Sequence, residues 1–230
     1  MLRPPVDPAL KEAQTDSMSN QRPLSYDPAA LRRAFADAGS GLVDIVAALP
    51  AERLDEQAMG LWTLRDLVGH ASRAIGTVPI YLEGGVGLAV ETDHPYDYFN
   101  AYRSSHGDSV AIAERARQSG RDLGDDLVGG VKRLLDTANA ALAMFGDEAP
   151  TNTPAGVMRL ADYLPARIFE LVVHGEDIKV ACNLELVPAQ GAVTVALTFA
   201  AGLAAESPQF RTALFGLTGR GGLAPDFTVI

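Results

Sequence analysis

The run Arg167-Ile-Phe-Glu-Leu-Val-Val-His-Gly-Glu-Asp177 constrains this chain more than any other stretch. Wound as a helix at about 100° per residue, it sets Arg167, Glu170, His174 and Asp177 in one narrow polar stripe, with Tyr163 on the same line a turn earlier. Leu164, Ile168, Phe169, Leu171, Val172, Val173, Ile178 and Val180 cover the remaining circumference, so the helix is apolar nearly all round and is expected to be buried. Uncompensated burial of a charge is costly, so the stripe must be paired internally, hold a metal ion, or both.

The spacing Glu170-x-x-x-His174 puts two donors about 5–6 Å apart on one helix face, which suits two ligands of one divalent ion. A third ligand must come from elsewhere, and the natural candidate is His70 in Trp62-Thr-Leu-Arg-Asp-Leu-Val-Gly-His70. Spacing alone leaves open a metal-free network of Arg167, Glu170 and His174.

Read in order, the chain is a series of helices. Residues 1–26, rich in Pro, Ser, Gln and charge, read as a flexible extension. Asp27 and Pro28 cap and open a first helix through Leu31, Phe35, Leu42, Ile45, Val46 and Leu49. After a loop from Arg53 to Gly60, Thr63 and Asp66 form a capping box for a second helix that stops at Gly84-Gly85. His70 lies at the edge of its apolar face, and Asp66 is a possible acceptor for its second ring nitrogen. A third helix is expected over 96–120, with Phe99, Tyr102, His106, Val110 and Ala113 on one face; His106 is then a fallback ligand or, with Tyr102, a group contacting cosubstrate or substrate. His94 reads as a solvated loop residue. A fourth helix over 125–145, the stripe-bearing helix over 156–183, a helix over 190–206 and a short one over 209–217 complete the reading. No period-2 alternation, internal repeat or phosphate-binding loop is visible, so the fold class is all-α, a helical bundle. Residues 27–206 form the bundle and 207–230 a short helix and tail packed on it.

The formal net charge of −10, with no basic cluster, argues against a nucleic-acid partner. Cys182, the single cysteine, excludes an intramolecular disulfide, fits a cytoplasmic protein and reads as a small buried hydrophobe. The N-terminus lacks the apolar core of a signal peptide, and the uncharged run 186–205 is too weakly apolar for a membrane span.

The segment Trp62 to His70, the later Met158-Arg-Leu-Ala-Asp-Tyr-Leu-Pro-Ala-Arg-Ile-Phe-Glu170-Leu-Val-Val-His174-Gly-Glu-Asp177 and the closing Leu217-Thr-Gly-Arg220 together resemble the mycothiol-dependent maleylpyruvate isomerase family, of the DinB-like helical-bundle superfamily. The resemblance covers roughly residues 28–228. It implies a four-helix bundle core with additional C-terminal helices and a divalent metal, usually zinc, on His70, Glu170 and His174. Gly175-Glu176 stands where family members often carry a small residue and Trp, which alters the pocket wall. Set against the longer isomerases of the family, this chain is expected to lack their extra C-terminal domain.

Three protein ligands leave a fourth position open for water or an incoming thiol, the pattern of a catalytic site. The reading is therefore a metal-dependent enzyme, an isomerase or S-transferase, that uses mycothiol on a small electrophilic substrate, as a monomer or homodimer. Arg167 orients Glu170 or holds a substrate carboxylate, Asp177 orients a ligand, and Arg220 either closes over the site from the tail or is a surface arginine. The competing readings are a non-catalytic metal- or ligand-binding module and a metal-dependent hydrolase.

Overall fold

The computed structural model describes residues 26–92, 94–104, 109–224 and 227–228. Asp27 accepts the Ala30 N–H at 2.8 Å and Pro28 occupies the first turn of α1 (Pro28–Ala47), which buries Leu31, Phe35, Leu42, Ile45 and Val46 as the spacing predicts. Thr63 and Asp66 close the expected capping box on α2 (Leu64–Gly85). Asp126 caps α5 (Leu127–Met144). The stripe-bearing helix, α6 (Leu160–Cys182), ends at Asn183, whose left-handed φ of 54° is one that asparagine tolerates better than most side chains.

These four helices form the core. α1 packs against α5 and α6, and α2 packs against the same two, so α1 and α2 lie across the bundle from each other. The remaining helices cover this core from outside: α4 (Ser109–Asp122) lies on α2, α7 (Gln190–Ala205) covers α6 and α1, and α8 (Phe210–Leu217) rests on α7. The chain is all-α, as expected. Among the described residues no helix is long and apolar enough to cross a membrane; α7 buries Val195, Phe199 and Leu203 but leaves Leu197 63% exposed.

Several local expectations change. The helix expected over 96–120 is two helices, α3 (Asp97–Ser104) and α4, and Val110, placed on its inward face, is 69% exposed. Val180, counted among the apolar cover of α6, is 80% exposed because it lies one turn after Glu176 on the outward face, while its neighbours Ile178 and Lys179 are buried. Two stretches read as a loop running into a helix start are β-hairpins: β1 (Gln57–Met59) with β2 (Trp62–Thr63), and β3 (Pro150–Thr153) with β4 (Gly156–Arg159). Residues 156–159 are therefore strand, not the start of the helix.

Each hairpin leads directly into a ligand-bearing helix, and the residues just before its first strand brace the free N–H groups of that helix. Leu64 and Arg65 at the start of α2 donate to the Glu56 and Leu54 carbonyls, while Leu160 and Ala161 at the start of α6 donate to those of Ala149 and Asp147, all at 2.9 Å. The first hairpin also touches α6 and the second lies on α2, so each ties one ligand helix to the other.

The axial position of His70 is set by its neighbour. A Cβ on Gly69 would lie 2.3 Å from the Gly120 nitrogen and 2.6 Å from the Ala116 carbonyl oxygen, so α2 and α4 touch backbone to backbone there. Gly69→Ala is expected to force the helices apart and lower stability by about 1–3 kcal/mol, measurable by urea unfolding.

Candidate metal centre

α6 carries Glu170 and His174 one turn apart, and α2 brings His70 across to meet them. His174 Nε2 lies 3.3 Å and His70 Nε2 3.8 Å from the same oxygen, Glu170 Oε2. One ligand atom from each residue can be chosen so that all lie within 4.8 Å of one another. Tetrahedral bonds of about 2.0–2.2 Å place ligand atoms roughly 3–4 Å apart, so the Glu170 edges already fit and a small side-chain movement closes the third. Nitrogen and carboxylate donors suit zinc and similar divalent ions. The three side chains are 15–19% exposed, so the cluster is reachable from solvent on one side.

Asp177 accepts a hydrogen bond from His174 Nδ1 at 2.9 Å, which leaves Nε2 facing the cluster. Arg167, the first charged residue of the stripe, is buried, with its guanidinium carbon 4.2 Å from the Tyr98 ring centre and 5.0 Å from that of Tyr163. Tyr163 bonds Thr77 through its hydroxyl at 2.9 Å, linking α6 back to α2.

The titration of these groups follows from this arrangement. Burial disfavours the Glu170 carboxylate, but the His174 hydrogen bond and the charges of Arg167, His174 and His70 outweigh it and bring the carboxyl down to about 2. Burial likewise opposes charge on His174, yet its bonds to Asp177 and Glu170 raise it to about 9. His70 falls to about 4, through burial and the nearby His174 charge, with Glu170 opposing. Without a metal, the cluster therefore holds a neutral His70 beside a His174 imidazolium clamped between two carboxylates.

Trp62, the only tryptophan, was not singled out by sequence reasoning. Its ring centre lies 4.5 Å from that of His70 and 6.4 Å from that of His174, so it walls one side of the cluster. Tyr98 was also missed; it packs on Arg167 from α3, and its position on a separate short helix gave no periodic signal. Asp66 does not meet His70: its carboxylate accepts the Thr63 N–H of the helix cap, and His70 Nδ1 is buried without a hydrogen-bond partner among the described residues.

Tyr102 belongs to α3, and His106 lies outside the described residues. His94 is half-buried rather than solvated, with Nε2 3.1 Å from Glu206. Arg220 is exposed after α8, its guanidinium 3.5 Å from the Thr218 carbonyl. Cys182 is partly exposed, not a fully buried hydrophobe, and burial raises its thiol pKa against the lowering effect of the Arg53 charge.

A His–Glu–His cluster on two helices of an all-α bundle, open on one side, defines the class: a helical-bundle protein with a candidate centre for one divalent ion. The family described as mycothiol maleylpyruvate isomerase N-terminal domain matches residues 35–179, more than half of the chain, and the chain belongs to that family. No curated protein and no solved structure matches it.

Proposed function

We propose that this protein is a metal-dependent enzyme that brings a low-molecular-weight thiol, mycothiol, to a small conjugated electrophile, acting as an isomerase or S-transferase. The observation that carries the reading is the meeting of His70 with Glu170 and His174 in a chain of this family. His70, Glu170 and His174 would hold the ion, zinc being the natural occupant of such a donor set. A bound divalent cation supplies Lewis acidity that lowers a thiol pKa from its free value of about 8.5.

The chain's own groups set up the rest. Asp177 fixes the His174 tautomer and strengthens its Nε2 as a donor. Arg167 acts as a positioning residue that keeps Glu170 ionised. Trp62 shields one flank of both imidazoles from water. In the isomerase reaction the thiolate sulfur adds to a conjugated carbon, the former double bond rotates as a single bond, and elimination restores the double bond and the thiol. In the transferase reaction the new carbon–sulfur bond is kept, and the carbanion left by the addition takes up the proton that the thiol released, giving a thioether. The carboxylate next to the cluster, Asp177, is engaged with His174, which favours thiol chemistry over hydrolysis with a free general base.

The zinc-loaded protein, assayed against conjugated electrophiles, is expected to turn over only with mycothiol. Asp177→Asn should lose about 10–100-fold in metal affinity or activity. Metal-dependent turnover without thiol would establish a hydrolase, and absence of both turnover and bound metal would establish a binding module.

A further inference from the structure

A second recess lies between α2, α4 and α5, a quarter turn of α2 away from His70. It measures about 350 Å³, at the lower end of the roughly 300–1,000 Å³ range of small-ligand sites. Two arginines line it, Arg73 from α2 and Arg133 from α5. Elsewhere guanidinium groups find acids readily: Arg32 pairs with Asp147, Arg53 with Glu56, Arg121 with Glu114 and Arg159 with Asp162. The chain has 29 acids for 19 basic residues, so acids are in surplus. Yet neither the Arg73 nor the Arg133 side chain forms an ion pair or hydrogen bond with another described residue, although Arg133 Nη1 and an Asp126 carboxylate oxygen both lie against Gly129. The acid on the same wall, Asp122, accepts instead from Gln118 at 2.7 Å.

The rest of the lining is apolar or small. Ile80 is 62% exposed and Leu123 is buried, with Leu134 between them in exposure. Two cations beside an apolar wall match a ligand with an anionic end and a hydrocarbon body, because the guanidinium fork recognises carboxylate and phosphate oxygens alike. We propose that this cleft binds a small organic anion, a carboxylate or phosphate ester, through Arg73 and Arg133, with its apolar body against Ile80 and Leu134. None of the three residues of the metal centre lines this recess.

Titration of the full chain with benzoate, phenyl phosphate, inorganic phosphate and the neutral benzamide, followed by amide NMR shifts, tests this. At least one of the two aryl anions is expected to bind, inorganic phosphate more weakly and benzamide not at all; whichever aryl anion binds more tightly identifies the anionic group. Arg73→Gln and Arg133→Gln should each weaken that binding about tenfold, since a hydrogen bond to a charged group is lost. Arg133 is exposed, so its variant keeps the fold. His174→Ala should leave binding unchanged. Failure of both aryl anions to bind, equal binding of benzamide or of bare phosphate, or indifference to both arginine substitutions would overturn the proposal. So would loss of binding in His174→Ala, which would move the anion to the metal centre.

Discussion

Replacing His174 by alanine is expected to weaken metal binding by about two to three orders of magnitude. A four-ligand structural zinc site is worth about 10–16 kcal/mol, or roughly 3–4 kcal/mol per ligand, and losing one ligand of three costs at least that share. Glu170→Ala should match it, because the carboxylate is the corner that both imidazoles approach, at 3.3 and 3.8 Å. Trp62 supplies the readout. As the only tryptophan, stacked 4.5 Å from His70, it should change its fluorescence when zinc is added to the wild type and not when zinc is added to either variant at the same concentration. Titration followed by elemental analysis gives the stoichiometry; wild-type affinity in both variants would remove His174 and Glu170 from the ligand set.

Metal affinity should climb with pH. At pH 7 Glu170, with its pKa near 2, is already ionised and His70, near 4, is already neutral. His174 alone, raised to about 9, still carries a proton on the cluster. Binding at pH 7 therefore releases about one proton, and apparent affinity should rise about tenfold per pH unit up to pH 9, then level off. Calorimetry in buffers of different ionisation enthalpy counts that proton directly. The metal-free protein should show the opposite trend in stability. His174 is raised above its unfolded value of 6.5, so its contribution is complete below pH 6.5 and is lost as pH rises through about 9. Its loss amounts to a figure on the order of 3 kcal/mol at most, the shift multiplied by 1.36 kcal/mol per unit. His174→Ala should abolish that slope; an unchanged slope would place the titration elsewhere.

Much of this was legible in residue order because it depends on local periodicity. Leu67, Val68, Ala71, Ile75, Val78 and Leu82 recur at helical spacing, and all are buried on α2. Thr63 with Asp66 and Asp27 with Pro28 fixed two helix starts, since capping is satisfied within four residues. The hairpins before α2 and α6 escaped because strands of two to four residues are too short to show alternation. The residues before each first strand also bond the N-terminus of the helix that follows, a pairing that neither strand reveals by itself.

The same division holds at the candidate centre. Residue order alone determined that Arg167, Glu170, His174 and Asp177 share one stripe, because four residues of α-helix nearly complete a turn and bring their side chains to the same face. It also determined that such a stripe on a buried helix needs compensation. Only the tertiary structure decided how the compensation is arranged: Asp177 clamps His174, the adjoining Tyr98 and Tyr163 rings flank Arg167, Trp62 walls the imidazoles, and Asp66 stays in its cap. It also decided that Arg73 and Arg133 share a cleft. These pairings join residues on different elements, and their distances are set by how closely whole helices pack, down to the Gly69–Gly120 contact that no local pattern encodes.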